Sequence, residues 1–150
     1  MKSIKYTSFF AALLLVFLIS CEKDDYQELQ VPEIQATGLW NVAAYIDDAA
    51  VTVPFQLEIT DAVSPGGDSI VIKDTASDFW SFQVKAAKNG LKGIFGTKLS
   101  NCEISDPSIG IKIANGKVIQ SDSIYFEIQF EDDQTPFGTT YQIKGGRVRE

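Results

Sequence analysis

The sequence predicts an all-β domain of about eight short antiparallel strands, on three observations. Beyond Gly38, apolar and polar residues alternate with period two in one segment after another, the signature of strands with one buried face. Turn dipeptides and Gly/Pro clusters fall between those segments. After the N-terminal region no apolar stripe of period 3.6 recurs, so no amphipathic helix is expected.

In chain order, residues 39–45 open the domain. Val51, Val53, Phe55, Leu57 and Ile59 then share one face, against Thr52, Gln56, Glu58 and Thr60 on the other. Pro54 interrupts that segment and predicts an edge or a bulge there. Residues 69–73 follow, and next Trp80, Phe82 and Val84 alternate with Ser81, Gln83 and Lys85. Residues 91–99, 111–114 and 117–120 are shorter candidates. Ile124, Phe126, Ile128 and Phe130 against Tyr125, Glu127, Gln129 and Glu131 form the cleanest alternation, and residues 139–149 end the domain. Asn89-Gly90 and Asn115-Gly116 are dipeptides that supply two positive-φ residues to a type I′ hairpin turn. Pro65-Gly66-Gly67 and Thr135-Pro136-Phe137-Gly138 punctuate longer loops. Residues 38–150 therefore read as one domain, long enough to bury a core of its own.

The N-terminal region has a different character. Lys2 and Lys5 precede an apolar run from Phe9 to Ile19, the layout of a secretory signal and too short to span a bilayer. Ser20-Cys21 resembles the lipobox of bacterial lipoproteins. That resemblance implies removal of residues 1–20 and a diacylglyceryl group on the Cys21 thiol. Glu22-Lys23-Asp24-Asp25 is similar to the acidic export tag of surface lipoproteins in gut-type Gram-negative anaerobes. Lys23, Asp24 and Asp25 would direct the protein to the outer leaflet of the outer membrane, facing the exterior; alternatively they are a solvated tether. Residues 21–37 are the expected lipidated tether between anchor and domain.

Gly38-Leu39-Trp40 at the first strand resembles the Gly-x-Trp signature of lipocalins and related calycins. This favours a small lipocalin-like antiparallel barrel over a sandwich. The resemblance implies that Gly38 and Trp40 lie at the narrow end, with a basic side chain from the last strand, Arg147 or Arg149, stacked across the indole. A guanidinium is attracted to the face of a tryptophan. The whole chain resembles the bacterial family named lipid-binding putative hydrolases. Its motifs include the lipobox, Gly38-Leu39-Trp40, Asp78-Phe79-Trp80 with Phe82, Asp122-Ser123-Ile124-Tyr125-Phe126-Glu127, Thr139-Thr140-Tyr141 and Gly145-Gly146-Arg147. These motifs are structural, and the activity in the family's name comes with no mechanism attached. The domain is shorter than a typical lipocalin and has no evident C-terminal helix.

Chemistry is restricted by composition. The chain has no histidine, which removes Ser-His-Asp and Cys-His catalysis and His-ligated zinc. Gly67-Asp68-Ser69-Ile70 resembles the nucleophile block of Gly-Asp-Ser-type lipases, but their partner histidine cannot be supplied here, so Ser69 reads as a strand start. Glu58, Glu103, Glu127 and Glu131 are carboxylates that could pair as in glycoside hydrolysis, and the last two fall on the solvated face of their strand. Asp47-Asp48 and Glu131-Asp132-Asp133 lie at turns without calcium-loop spacing. No catalytic residue, metal site or cofactor is assigned. Losing residues 1–20, with Lys2 and Lys5 and no acid, takes the net charge from −7 to −9. An acidic domain without a Lys/Arg stripe repels phosphate backbones, so nucleic acid is not an expected partner. Lipidation of Cys21 leaves Cys102 without an intrachain partner, as a buried small side chain or a free thiol.

Phe55, Leu57, Trp80, Phe82, Phe126, Ile128, Phe130 and Tyr141 would face one side of the sheet. They form either a pocket for a small hydrophobic ligand or lipid or a solid core, since an eight-stranded barrel can be filled by its own side chains. Function divides accordingly. The first reading is a lipid-anchored surface lipoprotein that captures an apolar ligand. The alternative is a ligand-free accessory protein in a cell-surface complex, and a hydrolase survives only through the family's name.

Overall fold

Alternation of apolar and polar side chains curls this chain into a closed eight-stranded antiparallel barrel with one additional short strand. The computed structural model describes residues 33–63 and 67–149. The strands are β1 (Gly38–Ile46), β2 (Ala49–Ala50), β3 (Phe55–Asp61), β4 (Ser69–Asp74) and β5 (Gln83–Asn89), followed by β6 (Ile94–Asn101), β7 (Gly110–Ile119), β8 (Ser123–Phe130) and β9 (Tyr141–Arg147). From β3 onward each strand pairs with the next, β1 pairs with β3, and β9 returns to β1 to close the ring. The closing register runs from Trp40 opposite Arg147 to Tyr45 opposite Gln142. Closure leaves no open edge in the eight-stranded ring. The two-residue β2 pairs only with the far end of β1.

Up-and-down connectivity gives the barrel two unlike ends. At the first end lie residues 33–37, the start of β1 and the end of β9, with residues 62–63 and 67–68 and connections 90–93 and 120–122. At the second lie connections 47–54, 75–82, 102–109 and 131–140. These ends are called the floor and the mouth below. Between them the interior is filled. Leu57, Ile59, Ile70, Ile72, Val84, Phe126, Ile128 and Ile143 are buried on the inner face, where each large apolar side chain is worth about 1.5–3 kcal/mol of transfer free energy. Phe126 packs edge-on against Phe95 with centroids 5.6 Å apart. Of the two interiors open to the sequence, hollow or packed, the strands build the packed one.

Several elements differ from expectation for definable reasons. Val51 and Val53 are exposed and lie outside β3, which begins only after Pro54. The Thr52 hydroxyl instead accepts the Ala44 N–H at 3.0 Å, drawing this stretch toward β1. Asn115-Gly116 is no hairpin turn; it lies inside β7 as a bulge, with Asn115 at φ 54°. The extra residue shifts the alternation, so Ile111 and Ile113 before it and Val118 after it are all buried. Glycine is required there, because a Cβ on Gly116 would lie 2.4 Å from the Phe95 carbonyl oxygen. Asn89-Gly90 does mark the β5–β6 connection, but as a one-turn 3-10 helix, Gly90–Lys92, capped by the Asn89 side chain. Paired positive φ values occur instead at Asp47-Asp48 (48° and 64°) and Gln120-Ser121 (51° and 63°).

Candidate ligand site at the barrel mouth

Asp74 is the last residue of β4 and points inward, 1% exposed. A carboxylate in an apolar barrel is tolerated only when hydrogen bonds replace its lost water. Here the chain folds back over it. Asp74 accepts the backbone N–H groups of Asp78 at 3.2 Å, Phe79 at 2.9 Å and Trp80 at 3.2 Å. Three donors to one charged acceptor make a strong local clasp. The clasp keeps residues 75–82 out of the sheet, so Trp80 and Phe82 lie before β5 and not on it. This corrects the strand expected from their alternation.

The clasped loop lays two rings across the mouth. Phe79 meets Phe55 at 5.3 Å, Tyr141 at 5.2 Å and Phe130 at 5.9 Å. Trp80 stacks on Phe130 with centroids 4.2 Å apart and planes 3° from parallel. Phe82 supports Phe130 from below at 5.6 Å. Each such ring pair adds about 0.5–1.5 kcal/mol beyond area burial. The polar edges of the cluster are tied to the 131–140 loop. Trp80 Nε1 donates to Asp132 at 3.1 Å, and the Tyr141 hydroxyl donates to Asp133 at 3.3 Å. Burial pushes the Tyr141 phenol up, reinforced by the Asp133 charge. The Thr139 hydroxyl holds the Asp133 carboxyl below its usual range. Phe79, Trp80 and Tyr141 remain half-buried, whereas Phe55, Phe82 and Phe130 are buried beneath them.

The sequence-derived lining set therefore divides. Phe55, Trp80, Phe82, Phe130 and Tyr141 come together at the mouth. Leu57, Phe126 and Ile128 are fully buried on the strands. Phe79 and Asp74 join the mouth from outside that set. Their signal was an acid at a strand end followed, after Thr75-Ala76-Ser77, by the Asp78-Phe79-Trp80 motif.

The floor is closed by different means. The Arg147 guanidinium lies 4.2 Å over the Trp40 ring, and Trp40 Nε1 donates to the Ala36 carbonyl at 2.8 Å. Arg147 also donates to the carbonyls of Thr37 at 2.6 Å, Gln35 at 2.6 Å and Ser121 at 2.9 Å. Gly38 has φ 129°, and a Cβ there would lie 2.7 Å from Arg147 Nη1. Arg149 is exposed and reaches Asp122 at 3.6 Å, away from the indole. Beneath this end, Lys88 is almost buried against Asp61 at 2.6 Å.

The chemical candidates are dispersed. Glu127 accepts from the Tyr125 hydroxyl at 2.7 Å and from Asn115 at 3.0 Å. Glu131 accepts the Gly110 N–H at 2.6 Å, Glu103 bonds Gln83 at 2.7 Å, and Asp48 bonds Lys144 at 2.5 Å. Among the described residues no group of three or more Cys, Asp or Glu is arranged to hold a metal. Cys102 is a buried free thiol. Burial raises its pKa, but hydrogen bonds from the Gln83, Ile104 and Ser105 backbone and the Ser105 hydroxyl outweigh that and leave it lowered. An open groove of about 610 Å³ lies on the outer wall over β6–β8, lined by Phe95, Lys117 and Tyr125 among others. Cys21, Lys23, Asp24 and Asp25 lie outside the described residues.

Residues 25–149 match the family described as lipid-binding putative hydrolase. The chain belongs to that family. The sequence matches none of the curated proteins with which it was compared. The barrel, its aromatic mouth and its Arg147–Trp40 floor all lie inside the matched residues.

Proposed function

We propose that this family member is a lipid-anchored surface lipoprotein that takes an apolar ligand at the barrel mouth, beneath the 75–82 loop. One observation carries the reading. The two rings that plug the mouth, Phe79 and Trp80, ride on a loop outside the sheet whose backbone is clasped by Asp74 and whose Trp80 Nε1 donates to Asp132. The plug can therefore lift without breaking the ladder of the barrel, and it would uncover Phe55, Phe130 and Tyr141 for a ligand. Residues 33–37 cross the opposite end, where Ile34 N–H donates to the Gly90 carbonyl at 3.1 Å. The first described residue, Glu33, thus lies at the floor, the end opposite the mouth.

The test is titration of the unlipidated full-length Cys21→Ala chain with N-phenyl-1-naphthylamine, a neutral dye that brightens in apolar surroundings. Saturable uptake is expected, weakened by Phe130→Ser in a chain that still melts cooperatively. Unsaturable dye response would remove the ligand reading. For the anchor, Cys21→Ala should leave the protein unprocessed or released from the envelope. Alanines at Lys23, Asp24 and Asp25 should turn it from protease-accessible to protected on intact cells.

The packed interior supports a second reading, an accessory protein that docks in a surface complex without a ligand. Crosslinking on intact cells separates the two, because only the accessory reading requires a reproducible protein neighbour. No hydrolytic role is proposed, since the mouth gathers aromatic rings and carboxylates and the chain has no histidine to act as base.

A further inference from the structure

We infer that the mouth takes a cationic amphiphile, a long-chain amine or quaternary ammonium, in preference to a fatty acid. This rests on the ligand reading above and assigns the chemistry of the headgroup. The four connections at the mouth, residues 47–54, 75–82, 102–109 and 131–140, contain eight Asp and Glu and no Lys or Arg. The floor is mixed, with Glu33, Asp68 and Asp122 offset by Lys92 and Arg149. Charge is therefore polarised along the barrel axis, and the negative pole coincides with the aromatic cluster.

The carboxylates are in contact with the rings. Asp132 holds the Trp80 indole N–H and Asp133 the Tyr141 hydroxyl. Half-buried aromatic faces attract a cation within about 6 Å of a ring centroid, and carboxylates beside them add to the same field. The rim already holds a cation in this way. Lys112 reaches it from the outer wall and sits 4.0 Å over the Phe137 ring. Lys144 on β9 is paired with Asp48 of the 47–54 connection. A fatty-acid carboxylate entering the same mouth would meet the like charge of these eight connection carboxylates.

The experiment uses the unlipidated full-length chain loaded with N-phenyl-1-naphthylamine and three twelve-carbon competitors below their micelle concentrations. These are dodecyltrimethylammonium, dodecyl glucoside and laurate, with circular dichroism confirming that each leaves the barrel folded. The ammonium is expected to displace the dye at a concentration at least tenfold below laurate. At 0.5 M salt, where the screening length falls to a few ångströms, the advantage should shrink below threefold. It should shrink similarly in a variant carrying Asp47→Asn, Asp78→Asn, Glu103→Gln and Asp106→Asn. Laurate displacing as well as the ammonium overturns the headgroup assignment and leaves the apolar site standing. An advantage that survives both salt and the variant also overturns it, because the rim charge would not be its source. Failure of the dye and all three competitors to bind overturns the underlying ligand reading instead.

Discussion

Arg147 lies over the ring of Trp40 at 4.2 Å, and the two residues are direct partners in the register that closes the barrel. The side chain of one strand is thus stacked on the indole of the other while its three donor nitrogens reach carbonyls of Gln35, Thr37 and Ser121. Arg147→Ala should cost about 2–3 kcal/mol in urea unfolding, because it strips charge-assisted hydrogen bonds from three carbonyls. Arg147→Lys should recover less than half of that, since an ammonium cannot present the planar fork. Arg149→Ala, on an exposed side chain, should change stability by less than about 0.5 kcal/mol. Equal effects of the two alanine variants would refute the closure role.

Closure also depends on the absence of a side chain two residues earlier on β9. A Cβ on Gly145 would stand 2.1 Å from the Asn41 carbonyl oxygen and 2.6 Å from the Val42 Cα. Both obstacles are backbone of the partner strand, so neither can swing aside. Gly145→Ala should destabilise by about 3 kcal/mol through overpacking. Gly146→Ala should be far milder, since the nearest atom to its Cβ would be the Asp122 carbonyl oxygen at 3.6 Å. A thermal melt of the pair decides it, and similar midpoints would contradict the geometry.

Asp74 predicts a local effect with little global consequence. Asp74→Ala leaves the N–H groups of Asp78, Phe79 and Trp80 without their acceptor, a loss of about 1–3 kcal/mol. Because these groups can hydrate once the loop lifts, the barrel itself should remain folded. Acrylamide quenching of tryptophan fluorescence should rise and the emission should shift red. Trp40, fully buried at the floor, contributes little to that change. Unaltered quenching would show that the loop does not hang on this carboxylate.

Much of the barrel is legible because inward and outward residues alternate strictly, as in β8, where Ile124, Phe126, Ile128 and Phe130 are all buried. The exceptions have tertiary causes. Trp80 and Phe82 keep a strand's alternation, but three hydrogen bonds to Asp74 outcompete ladder pairing at that point. Asn115-Gly116 carries the chemistry of a turn, yet the need to keep both halves of β7 facing inward uses it as a bulge. Arg147 and Arg149 differ by one period of the strand and are equivalent by pattern. Only the β1–β9 register places Arg147 against Trp40. Phe79 stands in the Asp78-Phe79-Trp80 motif, but its place at the mouth is not legible by alternation because it belongs to a loop.

The Tyr125–Glu127 pair on the outer wall gives a prediction in alkali. The Tyr125 hydroxyl donates to Glu127 at 2.7 Å, and that bond, with burial and the negative charge nearby, pushes its pKa up to about 12 from the usual 10. A folded-state pKa above the unfolded value contributes stability that is fully present below pH 10 and lost as pH rises toward 12. Stability should therefore fall across that window. Glu127→Gln should bring the Tyr125 titration back toward its ordinary value and shrink that alkaline loss of stability. Tyr125→Phe should remove one late-ionising phenol from the absorbance titration at 295 nm. The hydroxyl lies on the outer wall, so neither change should alter dye uptake at the mouth. A tyrosine titration indifferent to Glu127→Gln would mean that the hydrogen bond does not set the ionisation of this residue.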